Sequence, residues 1–357
     1  MHPSATWPDW LTNGESALKK HLDAVADAHD RLRAIAEKGF TYRHVPQALV
    51  NQPIDKLVTA GVYKENEDGT VFKTVKGKIN PPNAWSRNFI YDQGSGYRMF
   101  NQFVASNRIA AVKLLDAFNR DLQAGDLLVP LICARSLLEQ VSHCNETLVF
   151  VREQPEPRDR VSAWEVVGNV REWLGKKTYG TRMDWMAFAS AAPGEIPKKK
   201  AVAYQREVNR IDRTAETILN AVDHLDKKVA GTRVIYEMLC EFAHPNVGSF
   251  FVAGVSCRML PRDTTDVFWI EKHLGLEPPI EFLKSFGVII ENILKNLSQC
   301  LVHYEGLLHE ANALSDKLLR LTQTIMRHAI AHRKELFNAY DSCPCGSTKK
   351  IRFCCGK

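Results

Sequence analysis

Apolar residues recur along most of the chain at three- and four-residue spacing, the pattern of amphipathic helices. The clearest stretch is ESALKKHLDAVADAHDRLRAIAEK, residues 15–38, whose repeat stops at Gly39 and predicts one long helix. Residues 99–124 and 126–152 predict two more, joined near Gly125. A charged, proline-bearing break, REQPEPRDR, follows, with further helices expected over 161–174 and 204–228. RVIYEMLCEFAHPN, residues 233–246, predicts a helix stopped by Pro245. Residues 278–337 predict nearly continuous helix, with breaks around Gly306 and Ala311–Ser315.

The period changes in two places. NEDGTVFKTVKGKI, residues 66–79, joins an Asp-Gly pair to an alternating stretch and predicts a β-hairpin. A short helical segment is expected ahead of it, within 41–62. The pair resembles a small winged helix, but its recognition segment, IDKLVTAG, is short and weakly basic, which argues against DNA reading. GSFFVAGVSCRM and DVFWIEKHL alternate as two strands of a second hairpin. GKKTYGTRMDWMAFASAAPGEIPKKK, residues 175–200, reads as a long surface connection. The expected fold is mostly α, a multi-helix bundle with one or two small β-hairpins and a C-terminal zinc knuckle. Its expected parts are an N-terminal helical region with a hairpin (1–95), a main helical domain (96–338) and a metal-binding module (339–357).

The 357 residues are 45% hydrophobic and 25% charged, an ordinary globular balance able to fill a sizeable core. No stretch approaches the roughly 18 uncharged apolar residues of a membrane span. The N-terminus shows no secretory pattern, so a cytoplasmic location is expected. The net charge of +6 is modest for this length. It is unevenly spread, with clusters at Lys176–Lys177, at 197–200, and at Lys349, Lys350, Arg352 and Lys357. Long amphipathic helices at 15–38 and 281–337 suit either a homodimer or a monomeric bundle.

Nine cysteines are present, and four of them fall within CPCGSTKKIRFCCGK at the end of the sequence. In a cytosolic chain thiols stay reduced, which argues against a disulfide framework. Four thiolates converging on one tetrahedral ion explain the spacing, with Zn²⁺ the expected metal. The segment is too short to fold on its own apolar core, so metal binding would supply its folding energy. Lys349, Lys350 and Arg352 would offset the negative charge of a four-thiolate site. The other cysteines, at 133, 144, 240, 257 and 300, sit mostly in apolar runs and read as inert core thiols.

This segment resembles the SEC-C motif, a zinc-binding module with the pattern Cys-Pro-Cys-Gly-Ser, a basic linker, then Cys-Cys-Gly or Cys-His-Gly. The likeness covers about 15 of the 357 residues. It implies one Zn²⁺ held by Cys343, Cys345, Cys354 and Cys355. It also implies a recognition role toward a protein partner, RNA or the ribosome, with Lys349, Lys350 and Arg352 as contact residues. It does not imply ATPase activity, since no phosphate-binding G-x-x-x-x-G-K-[ST] loop occurs.

Two helical stretches carry polar residues beyond what a core needs. Arg135, Glu139 and His143 lie four apart on one helix face. Glu241, His244 and Asn246 cluster at a helix end, where a histidine also suits the helix dipole. RSLLE followed later by YEMLCEFAHP resembles helical proteins related to the HEPN superfamily, many of which cut RNA without metal through an Arg-x(4–6)-His motif. No arginine stands at that spacing before His244. RHAIAH supplies it with Arg327 and His332. The resemblance implies an alternative function, a metal-independent ribonuclease acting in stress or phage defence. Its site would be Arg327 and His332, or Arg135, Glu139 and His244. Histidine would handle the ribose 2′-hydroxyl proton, and arginine the phosphorane charge. No G-x-S-x-G, H-E-x-x-H or dinucleotide-binding glycine pattern occurs in the chain.

Overall fold

The computed structural model describes residues 16–38, 47–67, 69–75, 78–79, 85–86, 89–179, 218–243, 255–261, 268–274, 280–332, 336–345, 347 and 349–357. These residues form a mostly α protein. In chain order the elements are α1 (Ser16–Glu37), α2 (Gln47–Thr59), β1 (Tyr63–Glu65), β2 (Thr70–Val75), β3 (Lys78–Ile79), β4 (Trp85–Ser86), α3 (Phe89–Gln123) and α4 (Leu128–Glu153). They continue with α5 (Arg160–Tyr179), α6 (Ile218–Asp226), α7 (Thr232–Ala243), β5 (Val255–Pro261), β6 (Phe268–Leu274) and α8 (Ile280–His332). A single 3₁₀ turn, Ile351–Phe353, follows in the cysteine segment.

The chain forms two compact units, and the division falls inside α3, α4 and α8. The first unit comprises Met1–Gly39, Ala105–Glu146 and Thr217–His309. In α1, Leu18, Leu22, Val25, His29 and Leu32 are buried, in the four-three alternation the sequence predicts. His29 is the polar member of that stripe. Its ring bonds Asp116 at 2.6 Å and Asn119 at 3.0 Å, so its nitrogens are satisfied within the unit. Leu115 and Phe118 of α3, Leu137 and Val141 of α4, and Ile235 and Leu239 of α7 are also buried here. From α8 the buried residues include Leu297, Leu301 and Tyr304. The Tyr304 hydroxyl donates to Asn107 Oδ1 at 2.6 Å, and Asn107 Nδ2 donates to the Gln140 carbonyl at 2.9 Å. Strands β5 and β6 pair antiparallel from Val255↔Leu274 to Pro261↔Phe268, the second expected hairpin.

The second unit comprises Phe40–Val104, Thr147–Glu216 and Glu310–Lys357. Its sheet is antiparallel throughout, with β2 pairing β1, β3 and β4. Gly69 lies at the β1–β2 turn, where its N donates to Asn66 O and Asn66 N donates to Thr70 O. The stacked rings of Phe150 and Trp173, with centroids 4.2 Å apart, join α4 to α5.

Three boundaries differ from expectation. Helix α3 starts at Phe89 rather than at 99. A Cβ on Gly96 would stand 3.1 Å from Val167 Cγ1 and 3.2 Å from its carbonyl oxygen, so the glycine lets α3 and α5 approach closely. Helix α5 runs on to Tyr179 rather than ending at 174. Helix α8 is unbroken from Ile280 to His332, so no break occurs at Gly306 or at Ala311–Ser315. Leu301, Tyr304, Leu308, Ala311, Leu314 and Leu318 remain buried across both points. A mid-helix glycine costs about 1 kcal/mol, less than this run of burial supplies. The junction near Gly125 matches expectation. Asp126 N bonds Asp121 O and Gly125 N bonds Leu122 O, closing α3, while Asp126 Oδ1 accepts from Leu128 N at 2.7 Å to open α4. The segment expected as helix over 204–217 and the connection over 180–200 lie outside the described residues.

Candidate metal centre

The C-terminal segment folds back on itself as a knuckle. Ser342 bridges Lys350, Cys343 N donates to Lys349 O at 3.0 Å, and Ile351 N donates to Asp341 O at 2.9 Å. The 3₁₀ turn then brings Cys354 N onto Ile351 O at 3.0 Å and Gly356 N onto the same oxygen at 2.8 Å. A Cβ on Gly356 would lie 2.8 Å from Ile351 Cγ2 and 2.9 Å from that oxygen. No side chain fits there, which is a physical reason for glycine after the vicinal cysteines.

This folding brings Cys343, Cys345, Cys354 and Cys355 together. Their sulfurs all lie within 4.8 Å of one another, and all four residues are buried. Cys345 and Cys354 are 3.5 Å apart, and Cys354 and Cys355 are 3.8 Å apart. A disulfide needs about 2.05 Å, so these are separate thiols. Four sulfurs at about 2.3 Å from one tetrahedral ion would be about 3.8 Å apart, so the spacing suits one metal ion. The donor groups around them suit thiolates. Ser347 N lies 3.5 Å from Cys345 Sγ, and the Ser347 hydroxyl contacts both Cys345 Sγ at 3.2 Å and Cys354 Sγ at 3.0 Å. From α8, Gln323 Nε2 donates to Cys354 Sγ at 3.6 Å.

Thiols this close cannot all ionise without a cation among them. Their mutual bonds set the order. Hydrogen bonds from Cys343 and Cys355 hold Cys345 down to about 2. The Cys345 contact, with burial, pushes Cys343 up to about 12, and the Cys343 and Cys345 contacts raise Cys355 as well. Within the group Cys345 is therefore the favoured thiolate, with Cys343 and Cys355 protonated beside it. A divalent cation at its centre reverses that preference for all four.

The cysteines are not peripheral to their unit. They belong to one buried cluster with Ile54, Tyr63, Val71, Ala163, Val167, Ile325, Met326, Ile330, Leu336 and Ile351. The knuckle thus packs on α2, the sheet, α5 and the end of α8. Outward from it, Lys349, Lys350 and Arg352 are exposed. The Arg352 guanidinium lies 5.0 Å from the Tyr340 ring centroid and 4.6 Å from that of Phe353, and it donates to the Tyr340 hydroxyl at 2.5 Å.

The other expected site residues fall in both units. Arg135 and Glu139 of α4, in the first unit, pair at 3.3 Å. Tyr236 of α7 joins them, its hydroxyl donating to Glu139 Oε1 at 2.9 Å and lying 3.5 Å from Arg135 Nη2. Burial pushes the Tyr236 phenol up to about 12, opposed by Arg135 and assisted by Glu139. Tyr236 therefore stays protonated and closes the pair. It opens the YEMLCEFAHPN stretch, in which the sequence points to Glu241, His244 and Asn246 instead. His244 lies outside the described residues. Arg327 and His332 lie on the last turns of α8, in the second unit. Arg327 is exposed. Sequence reading also missed Ser347, Gln323, Tyr340 and Phe353. Ser347 lies inside the motif. Gln323 had no signal, being 31 residues from the sulfur it touches.

Fold and site together define a mostly helical protein with a buried four-cysteine cluster able to hold a metal ion. Among the described residues no helix is long and apolar enough to cross a membrane. Comparison with protein-family models, curated proteins and solved structures finds no match to the chain.

Proposed function

We infer that the protein is a zinc-dependent recognition protein of the cytoplasm, whose C-terminal module contacts a macromolecular partner. The observation that carries this reading is the set of four buried sulfurs within 4.8 Å of one another. All-sulfur tetrahedral sets favour zinc over harder cations, and a closed set of four leaves no open position for chemistry. Bound zinc supplies the charge that stabilises four thiolates at once. The chain's own residues do the rest. Ser347 and Gln323 donate to the sulfurs, the Ser342–Lys350 bridge holds the two cysteine pairs in register, and Lys349, Lys350 and Arg352 face solvent. The likeness to the SEC-C module supports the recognition role. Metal analysis of the purified full chain tests the reading: one zinc per chain is expected, falling to near zero in Cys345→Ser. A wild-type chain that holds no metal after purification under reducing conditions with zinc supplied would overturn it.

A second reading, a HEPN-like ribonuclease, draws on Arg327. It is exposed, makes no ion pair among the described residues, and lies one helical turn beyond Gln323, which touches Cys354. Incubation of wild type and His332→Ala with structured and single-stranded RNA, with and without chelator, decides it. Cleavage lost in the histidine variant would establish the enzyme; intact RNA with wild type would remove it.

A further inference from the structure

The exposed side of the knuckle combines charge with aromatic surface in a way its own folding does not require. Ile351 faces the core, while Phe353, two residues on, is 52% exposed. Tyr340 is 58% exposed, although Leu336, four residues earlier, is buried. The core therefore closes without either ring. Between the two rings sits Arg352, within cation–π distance of both and hydrogen-bonded to the Tyr340 hydroxyl. Lys350 Nζ lies 5.6 Å from the Tyr340 ring centroid. Backbone bonds fix these positions: Arg352 N donates to Ala339 O at 2.9 Å and Phe353 N to Lys350 O at 3.0 Å. Over residues 339–357 the cations Lys349, Lys350, Arg352 and Lys357 stand against one acidic side chain, Asp341.

We propose that this face binds single-stranded nucleic acid, with Tyr340 and Phe353 stacking on unpaired bases and Lys349, Lys350 and Lys357 meeting the phosphates. The inference rests on the recognition reading above and names the partner class. Charge alone would equally suit an acidic peptide. Two exposed rings, held in place by a shared guanidinium, decide between them, because a base offers a flat face to each ring and a carboxylate does not. Single strands are favoured over duplex, whose bases are already stacked. Three phosphate contacts predict a salt dependence with a slope of about −2 in log–log form, roughly 0.7 per contact. The rings are placed by the knuckle backbone, so binding also depends on the metal.

The test is fluorescence anisotropy with the full zinc-loaded chain. The probes are a short oligouridylate, the matching oligothymidylate, a duplex of the same length and a polyglutamate peptide. Both single strands are expected to bind above the duplex and the peptide. Tyr340→Ala and Phe353→Ala should each weaken binding on the order of tenfold with zinc content unchanged. Tyr340→Phe, which keeps the ring, should retain most of it. Lys349→Gln should lower the salt slope by about 0.7. Tighter binding to the RNA strand would assign RNA, and equal binding would assign either strand; both sustain the proposal. No binding at low salt, equal binding of duplex or polyglutamate, or binding that ignores both rings would overturn it. Zinc content is measured first on each sample. A wild-type chain without metal therefore counts against the recognition reading, and a metal-loaded chain that binds nothing counts against this inference alone.

Discussion

The first unit and the cysteines of the second unit's knuckle are both buried, but they are held by different means. In the first unit, helices bury periodic apolar stripes, and interior polar side chains such as Tyr304 with Asn107 and His29 with Asp116 bond to one another. In the knuckle, four ionisable thiols occupy core positions beside Ile54, Val71 and Met326. Apolar burial stabilises by about 25 cal/mol for each Å² removed from water, whatever the pH or metal supply. Four packed thiols would gain most of their stabilisation only when a cation draws off their protons. On the zinc reading, the comparison predicts that the knuckle folds conditionally on its metal and the first unit does not.

The largest effect should therefore come from the sulfur cluster. On the zinc reading, Cys354→Ser removes one of four candidate ligands and is expected to leave the site empty. Structural zinc in small peptides is worth about 10–16 kcal/mol, so the knuckle should lose its fold outright. Amide exchange over 341–353 should rise to unprotected rates, and protection near Val71 and Met326 should weaken. Protection around Leu22, Leu115 and Leu137 should stay as in wild type. Equal loss in both regions would break the comparison, because it would make the metal a condition of the whole fold.

Core truncations sharpen the contrast at the next level. Leu137 in the first unit and Met326 beneath the knuckle are both fully buried. Replacing either with alanine should cost about 2–5 kcal/mol in denaturant unfolding. Only Met326→Ala should also speed metal loss to a competing chelator, because only Met326 shares a cluster with the cysteines. Identical metal retention in the two variants would mean that the knuckle holds its ion independently of the packing beneath it.

How much of this was legible in the sequence follows from the range of the interactions. The α1 stripe of Leu18, Leu22, Val25, His29 and Leu32 is a periodic signal within one element, and the helix appears where the spacing places it. The four cysteines are likewise a local pattern, complete within a few residues. What packs against them is not local. Ile54, Tyr63 and Val71 lie more than 270 residues before Cys343 in sequence, and no spacing links them. Read from sequence, the cysteine segment is a small appended module; in the structure it is part of a core. The same limit hid Gln323, and it hid Tyr236, whose meaning comes from Arg135 and Glu139 on another helix.

A smaller effect tests the knuckle's own geometry. Gly356→Ala places a methyl group against Ile351 Cγ2 and its carbonyl, both under 3 Å from the new carbon. One contact is backbone that also receives two hydrogen bonds, so it cannot simply move aside. A cost of about 1–3 kcal/mol is expected, read as weaker zinc retention with the first unit unchanged. Unaltered retention would show that the turn after Cys355 relaxes freely.

The smallest effect carries the opposite sign. Gly306 is the residue at which sequence suggests that α8 should break, because glycine is about 1 kcal/mol worse than alanine inside a helix. The helix passes through it, and a Cβ built there meets nothing within 4 Å. Its φ is not positive, so alanine brings no backbone strain. Gly306→Ala should therefore stabilise the protein by up to about 1 kcal/mol, mostly by restricting the unfolded chain, and raise Tm by a few degrees at most. Zinc content should not change, since Gly306 belongs to the unit that does not hold the four-cysteine cluster. A lower Tm would mean that α8 needs to bend at this point, and that the glycine read from sequence as a break marks a hinge after all. A higher Tm with the metal site untouched would show that burial on both sides already holds the helix straight and the glycine is only tolerated.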